Sequence, residues 1–193
     1  MSRLIRLSES AGHYEVFGIP RRLDLDESEL ARRYYELTRE QHPDRHAAGS
    51  ADDRETSTLN TAAVTRAYRL LRDPIARARY WLEIHGEKLG DDNRVPPELA
   101  ALVFEVQERL EELRAGEGVG DAVREDLEGL RARDAVLQDE MAANFKAWND
   151  ETADRDALLS ALKSILTRRA YLATLMRDVE AALEGRDGSR LRH

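Results

Sequence analysis

Cysteine is absent from the 193 residues, and that absence removes disulfides, thiol chemistry and any zinc or iron–sulfur site with cysteine ligands. Long apolar runs are also missing, and none approaches the roughly 20 residues that a membrane-crossing helix needs. Met1 to Gly12 lacks the apolar core of a secretory signal and is not rich enough in Arg and Ser for a transit peptide. The expectation is a cytoplasmic protein. Positive charge is outweighed: 30 Lys and Arg face 38 Asp and Glu, for a formal net charge of -8. A general nucleic-acid binder would need a basic footprint that this chain does not have. Aromatics are sparse at 6%, and no stretch alternates apolar and polar residues as a strand does. What is present is charge, at 35%, and enough apolar residues, at 41%, to fill one ordinary core or two small ones. The expected class is all-α.

Turn-forming residues collect between His85 and Pro97, in the run HGEKLGDDNRVPP, and mark a boundary. We expect an N-terminal domain over 12–84, a linker over 85–97, a three-helix bundle over 98–185 and a disordered tail over 186–193. In the first region Tyr14, Val16 and Phe17 make a short apolar turn. Leu30, Tyr34 and Leu37 then recur at i, i+4 and i+7, one face of a helix from Glu27 to Gln41 with Asp26 or Ser28 as its cap. Pro43 stops this helix, because a proline disfavours the α conformation in the residue before it. A polar loop over Arg45 to Glu55 leads to a second helix ending at Arg72, with Leu59, Ala62, Ala63, Tyr68 and Leu71 available for packing. Pro74 either ends that helix or opens a further one through Trp81 and Leu82.

Three apolar stripes with 3-and-4 spacing follow, the mark of helices with one buried face. The first holds Leu99, Leu102, Val103, Val106, Leu110 and Leu113 and ends at Gly116 and Gly118. The second holds Val123, Leu127, Leu130, Leu137, Met141, Phe145 and Trp148. The third holds Leu158, Leu162, Ile165, Leu172, Met176, Val179 and Leu183 and is stopped by Gly185. Asp134 and Arg169 fall inside two of the stripes, either as a pair or where the bundle opens to solvent.

His42-Pro43-Asp44, taken alone, is a helix stop followed by an acid suited to a turn. Its flanks carry more. Upstream stands Tyr14-x-x-Phe17-Gly18-Ile19; downstream stands Ala67-Tyr68-x-x-Leu71-x-Asp73-Pro74-x-x-Arg77-x-x-Tyr80. These blocks, in this order, resemble a J-domain. The resemblance implies that His42, Pro43 and Asp44 stimulate ATP hydrolysis by a DnaK-like chaperone. Chemistry agrees with that role: proline stiffens the backbone, so a protruding histidine and carboxylate have little entropy left to lose on docking. The acid can then pair with an arginine of the chaperone. J-domains also place a basic face on the helix before the loop. Here Arg32 and Arg39 fall opposite Leu30, Tyr34 and Leu37, and the candidate chaperone contacts are Arg33, Arg39 and Arg45, diluted by Glu36 and Glu40.

Metal and catalytic readings fare less well. His42 and His46 stand four apart, but the proline between them interrupts any helix and no carboxylate completes a ligand pattern. His13, His85 and His193 look isolated, and neither a nucleophile–base pair nor a phosphate-cradling glycine loop is present. We expect no metal, no cofactor and no enzyme activity.

The whole chain, from Tyr14 to Leu183, resembles the HscB family of J-type co-chaperones of iron–sulfur cluster biogenesis. Phe17-Gly18-Ile19-Pro20, Gln41-His42-Pro43-Asp44-Arg45, Arg72-Asp73-Pro74-Ile75-x-Arg77-Ala78-x-Tyr80-x-Leu82-x-x-His85-Gly86 and the Glu-rich helix after Pro97 carry the likeness. It implies an HscA-type, DnaK-like ATPase as one partner and an iron–sulfur scaffold protein of IscU type, bound by the bundle, as the other. Charge and the lack of apolar runs leave neither nucleic acid nor membrane as an expected partner, and we expect a monomer or weak homodimer. The family's docking face corresponds by register to Ala100, Ala101, Phe104, Glu105, Glu108 and Glu112, joined by Tyr171 of the last helix. The pattern of the residues agrees, since Phe104 falls outside the apolar stripe among Glu105, Glu108 and Glu112, as a partner anchor would. Ala100 and Ala101 depart from the bulky apolar residues usual there. Either affinity rests more on Phe104 and Tyr171, or the register slips by a turn onto Leu99, Leu102 and Val103. Other readings stay open: Phe104 and Tyr171 touching the N-terminal domain or a dimer partner, a J-protein with a different client, or a helical adaptor or dimerisation module.

Overall fold

The computed structural model describes residues 7, 12–47, 49–89 and 95–190, with side chains as far as 185. Met1–Gly86 and Glu87–His193 form two compact units, and all regular structure among the described residues is helical.

The first unit opens with α1, His13–Phe17, whose Tyr14 and Phe17 are fully buried. It closes at Gly18 in the left-handed region, φ 62°, with Ile19 N–H reaching back to the Tyr14 carbonyl, a C-terminal lock that glycine adopts without strain. Helix α2 runs over Glu27–Gln41 and is capped by Asp26, whose Oδ1 accepts from Ser28 and Glu29 amides. Tyr34 of α2 stacks on Tyr68, ring centroids 4.1 Å apart. The loop expected over Arg45 to Glu55 is shorter than the sequence suggests. A 3-10 turn covers Pro43–His46, and α3 begins at Ala51 and continues to Arg72. The reason is local: Ser50 and Asp53 exchange side-chain and backbone hydrogen bonds in a capping box, which starts the helix early. Pro74 opens α4, Pro74–Ile84, behind an Asp73 cap.

The buried stripe of α3 also departs from expectation. Leu59 and Ala62 are exposed, while Thr56, Ser57, Asn60, Val64, Ala67 and Leu71 are buried. Its first half is therefore polar. Arg77 of α4 is buried as well and donates to the Leu71 carbonyl near the end of α3. Burial disfavours the charged guanidinium and lowers its pKa.

The second unit holds a 3-10 turn, Pro97–Leu99, followed by α5, Ala100–Arg114, α6, Gly120–Ala147, and α7, Arg155–Arg190. Helix α5 packs on both α6 and α7, and α6 packs along α7. Val106, Leu110, Val123, Leu130, Leu162, Leu172 and Val179 are each 0–1% exposed and form its core. A fully buried aliphatic side chain of this kind contributes about 1.5–3 kcal/mol over an exposed one. Gly116, φ 88°, ends α5 with Glu117 N–H bonded to the Glu112 carbonyl. The turn into α7 is held by Arg155, which donates to the Trp148 and Asp150 carbonyls and lies over the Trp148 ring. Gly185 does not stop α7, which stays helical to Arg190, so the tail expected to begin at 186 starts as helix. A lone glycine costs a helix only about 1 kcal/mol and ends it only when the backbone turns left-handed after it. Residues 191–193 lie outside the described residues.

Asp134 and Arg169 prove to be a pair. Arg169 Nε and Nη2 donate to the two carboxylate oxygens of Asp134 at 2.8 and 2.9 Å, with Gln138 a further donor to Asp134. The Arg169 bonds hold the Asp134 carboxyl below its usual range.

Candidate functional site

The His42-Pro43-Asp44 turn follows directly from α2. His42 is extended (φ -63°, ψ 130°), as the residue before a proline should be, and Pro43 starts the 3-10 turn. Arg45 N–H closes the turn on the His42 carbonyl at 3.0 Å. The Asp44 amide donates to His42 Nδ1 at 3.2 Å, an arrangement that uses the tautomer with its proton on Nε2. That N–H and the Asp44 carboxylate, whose side chain is 91% exposed, are what the loop presents to solvent. A donor and an acid on a stiff turn suit an arginine-bearing, hydrogen-bonding partner.

The flanking basic residues are unequal. Arg39 and Arg45 are exposed. Arg33 is half-buried, donates from Nε to the Phe17 carbonyl at 3.3 Å and pairs with Glu36. Arg32 is held between Glu29 and Glu36. His46, the second histidine of the spacing considered for metal, donates from Nε2 to the Glu40 carbonyl at 3.0 Å.

On the second unit, Phe104 is 70% exposed on α5, with Ala100, Ala101, Glu105 and Glu108 also exposed and Glu112 half-buried. Tyr171 on α7 is half-buried. Of the alternative register, Leu99 is buried and Leu102 and Val103 are half-buried. Arg109 sits within the acidic run. Asp126 of α6 pairs with it, and Glu105 and Glu112 act on it electrostatically, so its charge is doubly held and its pKa raised.

Residues 12–80 match the DnaJ domain family. The chain is 33% identical over 151 residues to the co-chaperone protein HscB homolog of Shewanella oneidensis, covering 77% of this chain and 84% of that one. This chain belongs to the HscB co-chaperone family. Chaperone HscB from Vibrio cholerae shares its fold with a TM-score of 0.64 at 24% identity, over 91% of this chain and 99% of the other. Human co-chaperone HscB does so with a TM-score of 0.70 at 22% identity, over 92% and 85%.

In this HscB-family chain, sequence reasoning found the turn itself but missed what lies beneath it. Ser57 and Thr61 donate to the Gln41 carbonyl, and Asn60 donates to the Gln41 side chain. A signal was available: polar residues at i, i+3 and i+4 on the side of α3 that later becomes Val64, Ala67 and Leu71. Read as a solvated face, they carry no meaning; read as one stripe with those apolar residues, they mark buried polar groups that need partners. Tyr35 of α2 is 70% exposed as well.

Proposed function

We propose that this protein stimulates the ATPase of a DnaK-like, HscA-type chaperone through His42, Pro43 and Asp44, while its second unit carries an iron–sulfur scaffold protein to that chaperone. The observation that carries the reading is the Asp44 carboxylate, exposed on a turn whose backbone is already fixed by Pro43 and by the bond from Arg45 N–H to the His42 carbonyl. ATP hydrolysis is then the chaperone's chemistry, and the cluster is cargo of the scaffold, in keeping with a chain that has no cysteine. Arg39 and Arg45 add attraction for an acidic partner surface, whereas Arg33 is already engaged with Phe17 and Glu36. In this reading the client surface is Phe104 with Glu105, Glu108, Glu112, Ala100 and Ala101 of α5, joined by Tyr171 of α7. The exposure of Phe104 favours the register centred on it over that of Leu99, Leu102 and Val103. We further place the protein in the cytoplasm, as a monomer or weak dimer; no helix among the described residues is long and apolar enough to cross a membrane.

The test is the steady-state ATPase of the cognate chaperone with wild type and Asp44→Asn. The variant keeps shape and removes charge, so stimulation should disappear while scaffold binding stays. Stimulation by Asp44→Asn equal to that of wild type refutes the assignment.

A further inference from the structure

A helix ends with four carbonyls that no helical N–H can satisfy. At the end of α2 the usual repair is blocked, because Pro43 has no N–H to offer and His42 turns away into extended backbone. The repair comes from elsewhere. His46 Nε2 donates to the Glu40 carbonyl at 3.0 Å. Ser57 Oγ and Thr61 Oγ1 donate to the Gln41 carbonyl at 2.6 and 3.0 Å, and Asn60 Nδ2 donates to Gln41 Oε1 at 2.9 Å. The residue just before His42 is thus gripped by three side chains from one face of α3.

Two of these groups are deeply buried, Ser57 at 0% and Asn60 at 1% exposure. A polar group in such a place is costly unless paired, and an aliphatic side chain would pack there without that cost. The far end of Asn60 extends the connection: its Oδ1 accepts the Leu7 backbone amide at 2.8 Å, across 53 residues of sequence. Only the oxygen of an amide side chain can accept from an N–H, so Leu7 sets the orientation in which Asn60 Nδ2 faces Gln41. A continuous path therefore runs from Leu7 through Asn60 and Gln41 to His42.

We propose that Ser57, Asn60 and Thr61 are positioning residues for the His42-Pro43-Asp44 turn, and that Leu7 joins this support through its backbone amide. This rests on the proposed chaperone-stimulating role of the turn. The groups that meet the chaperone stay in place when the support is loosened; what falls is the fraction of molecules with the turn already set. Apparent affinity drops by that fraction, and the maximal effect is kept.

Stimulation is to be measured against co-chaperone concentration for wild type, Ser57→Ala, Thr61→Val, Leu7→Pro and Leu7→Ala. Loss of one such hydrogen bond should raise the half-maximal concentration about fivefold, with the maximum unchanged. Leu7→Ala keeps its N–H and should match wild type; Leu7→Pro has none and should behave like Ser57→Ala. Amide hydrogen exchange is the independent readout. Arg45, bonded to the His42 carbonyl, should exchange faster in Ser57→Ala and Leu7→Pro, and the protected Leu7 amide of wild type should lose protection in Asn60→Ala. A wild type that stimulates, with half-maximal concentrations and Arg45 exchange unmoved in the variants, overturns the proposal, as does a fallen maximum at unchanged half-maximal concentration. An unprotected Leu7 amide in wild type overturns the part assigned to Leu7 by itself. Failure of wild type to stimulate any DnaK-like ATPase would instead remove the functional reading, and Arg45 exchange would still decide whether the turn is positioned in this way.

Discussion

Truncating Phe104 to alanine separates a docking anchor from a packing residue, because the two roles differ in which quantity moves. The ring is 70% exposed. A large aromatic offers about 200 Å² to burial, so about 140 Å² of it is left for a partner to cover. At about 25 cal/mol per Å² that area is worth at most about 3.5 kcal/mol, a ceiling of about 300-fold in affinity. Ordering and desolvation at the interface take back part of it, and the expected loss is about 10- to 100-fold. The fold should hardly respond. The area already buried, about 60 Å², is worth no more than about 1.5 kcal/mol. The assay is calorimetric titration of scaffold protein into wild type, Phe104→Ala and Val136→Ala, with helix melting followed by circular dichroism. Val136 is the control, 57% exposed on α6 and outside the acidic face. Equal affinity for Phe104→Ala and wild type would refute the anchor, and a collapse of the melting midpoint would show that the ring holds the bundle together.

Arg169→Leu should destabilise the second unit by about 2–4 kcal/mol, because Asp134 keeps its charge among apolar neighbours without its forked donor. Pairing it with Asp134→Leu should recover most of the loss, and chemical denaturation of the single and double variants measures both. The same pair sets an acid response. The Asp134 carboxyl lies below its ordinary value of 3.8 because of the Arg169 bonds, so the unfolded chain binds the proton first. Its contribution is complete above that ordinary value and is lost as pH falls through the depressed one. Unfolding midpoints taken below about pH 4 should therefore drop more steeply in wild type than in the double variant; parallel curves would show that the pair adds nothing in that window.

The extent of α2 and the end of α5 were legible because their causes are local. Apolar residues at 3-and-4 spacing choose the buried face, and Pro43 or Gly116 stops the chain whatever the rest of the molecule does. The errors arose where partners are distant or where a local signal was passed over. Ser50 and Asp53 form a capping box three residues apart, and with it the early start of α3 was readable. Gly185 does not stop α7, because a glycine ends a helix only where the backbone turns left-handed. At the candidate sites, Asp44 and Phe104 were readable as residues off any apolar stripe, whereas the engagement of Arg33 with Phe17 depends on how α1 meets α2.

By itself, then, the sequence determined an all-helical chain with a boundary at a turn-rich run, a turn of His42, Pro43 and Asp44 at a helix end, and an aromatic among acids on α5. Each follows from residues within a few positions of one another. The tertiary structure alone decided that Asp134 and Arg169 are a pair, that the first half of the α3 stripe is polar and buried, and that the Leu7 amide reaches Asn60. These rest on contacts across 16 to 53 residues, where periodicity carries no information and only the packing of one segment on another brings a donor to its acceptor.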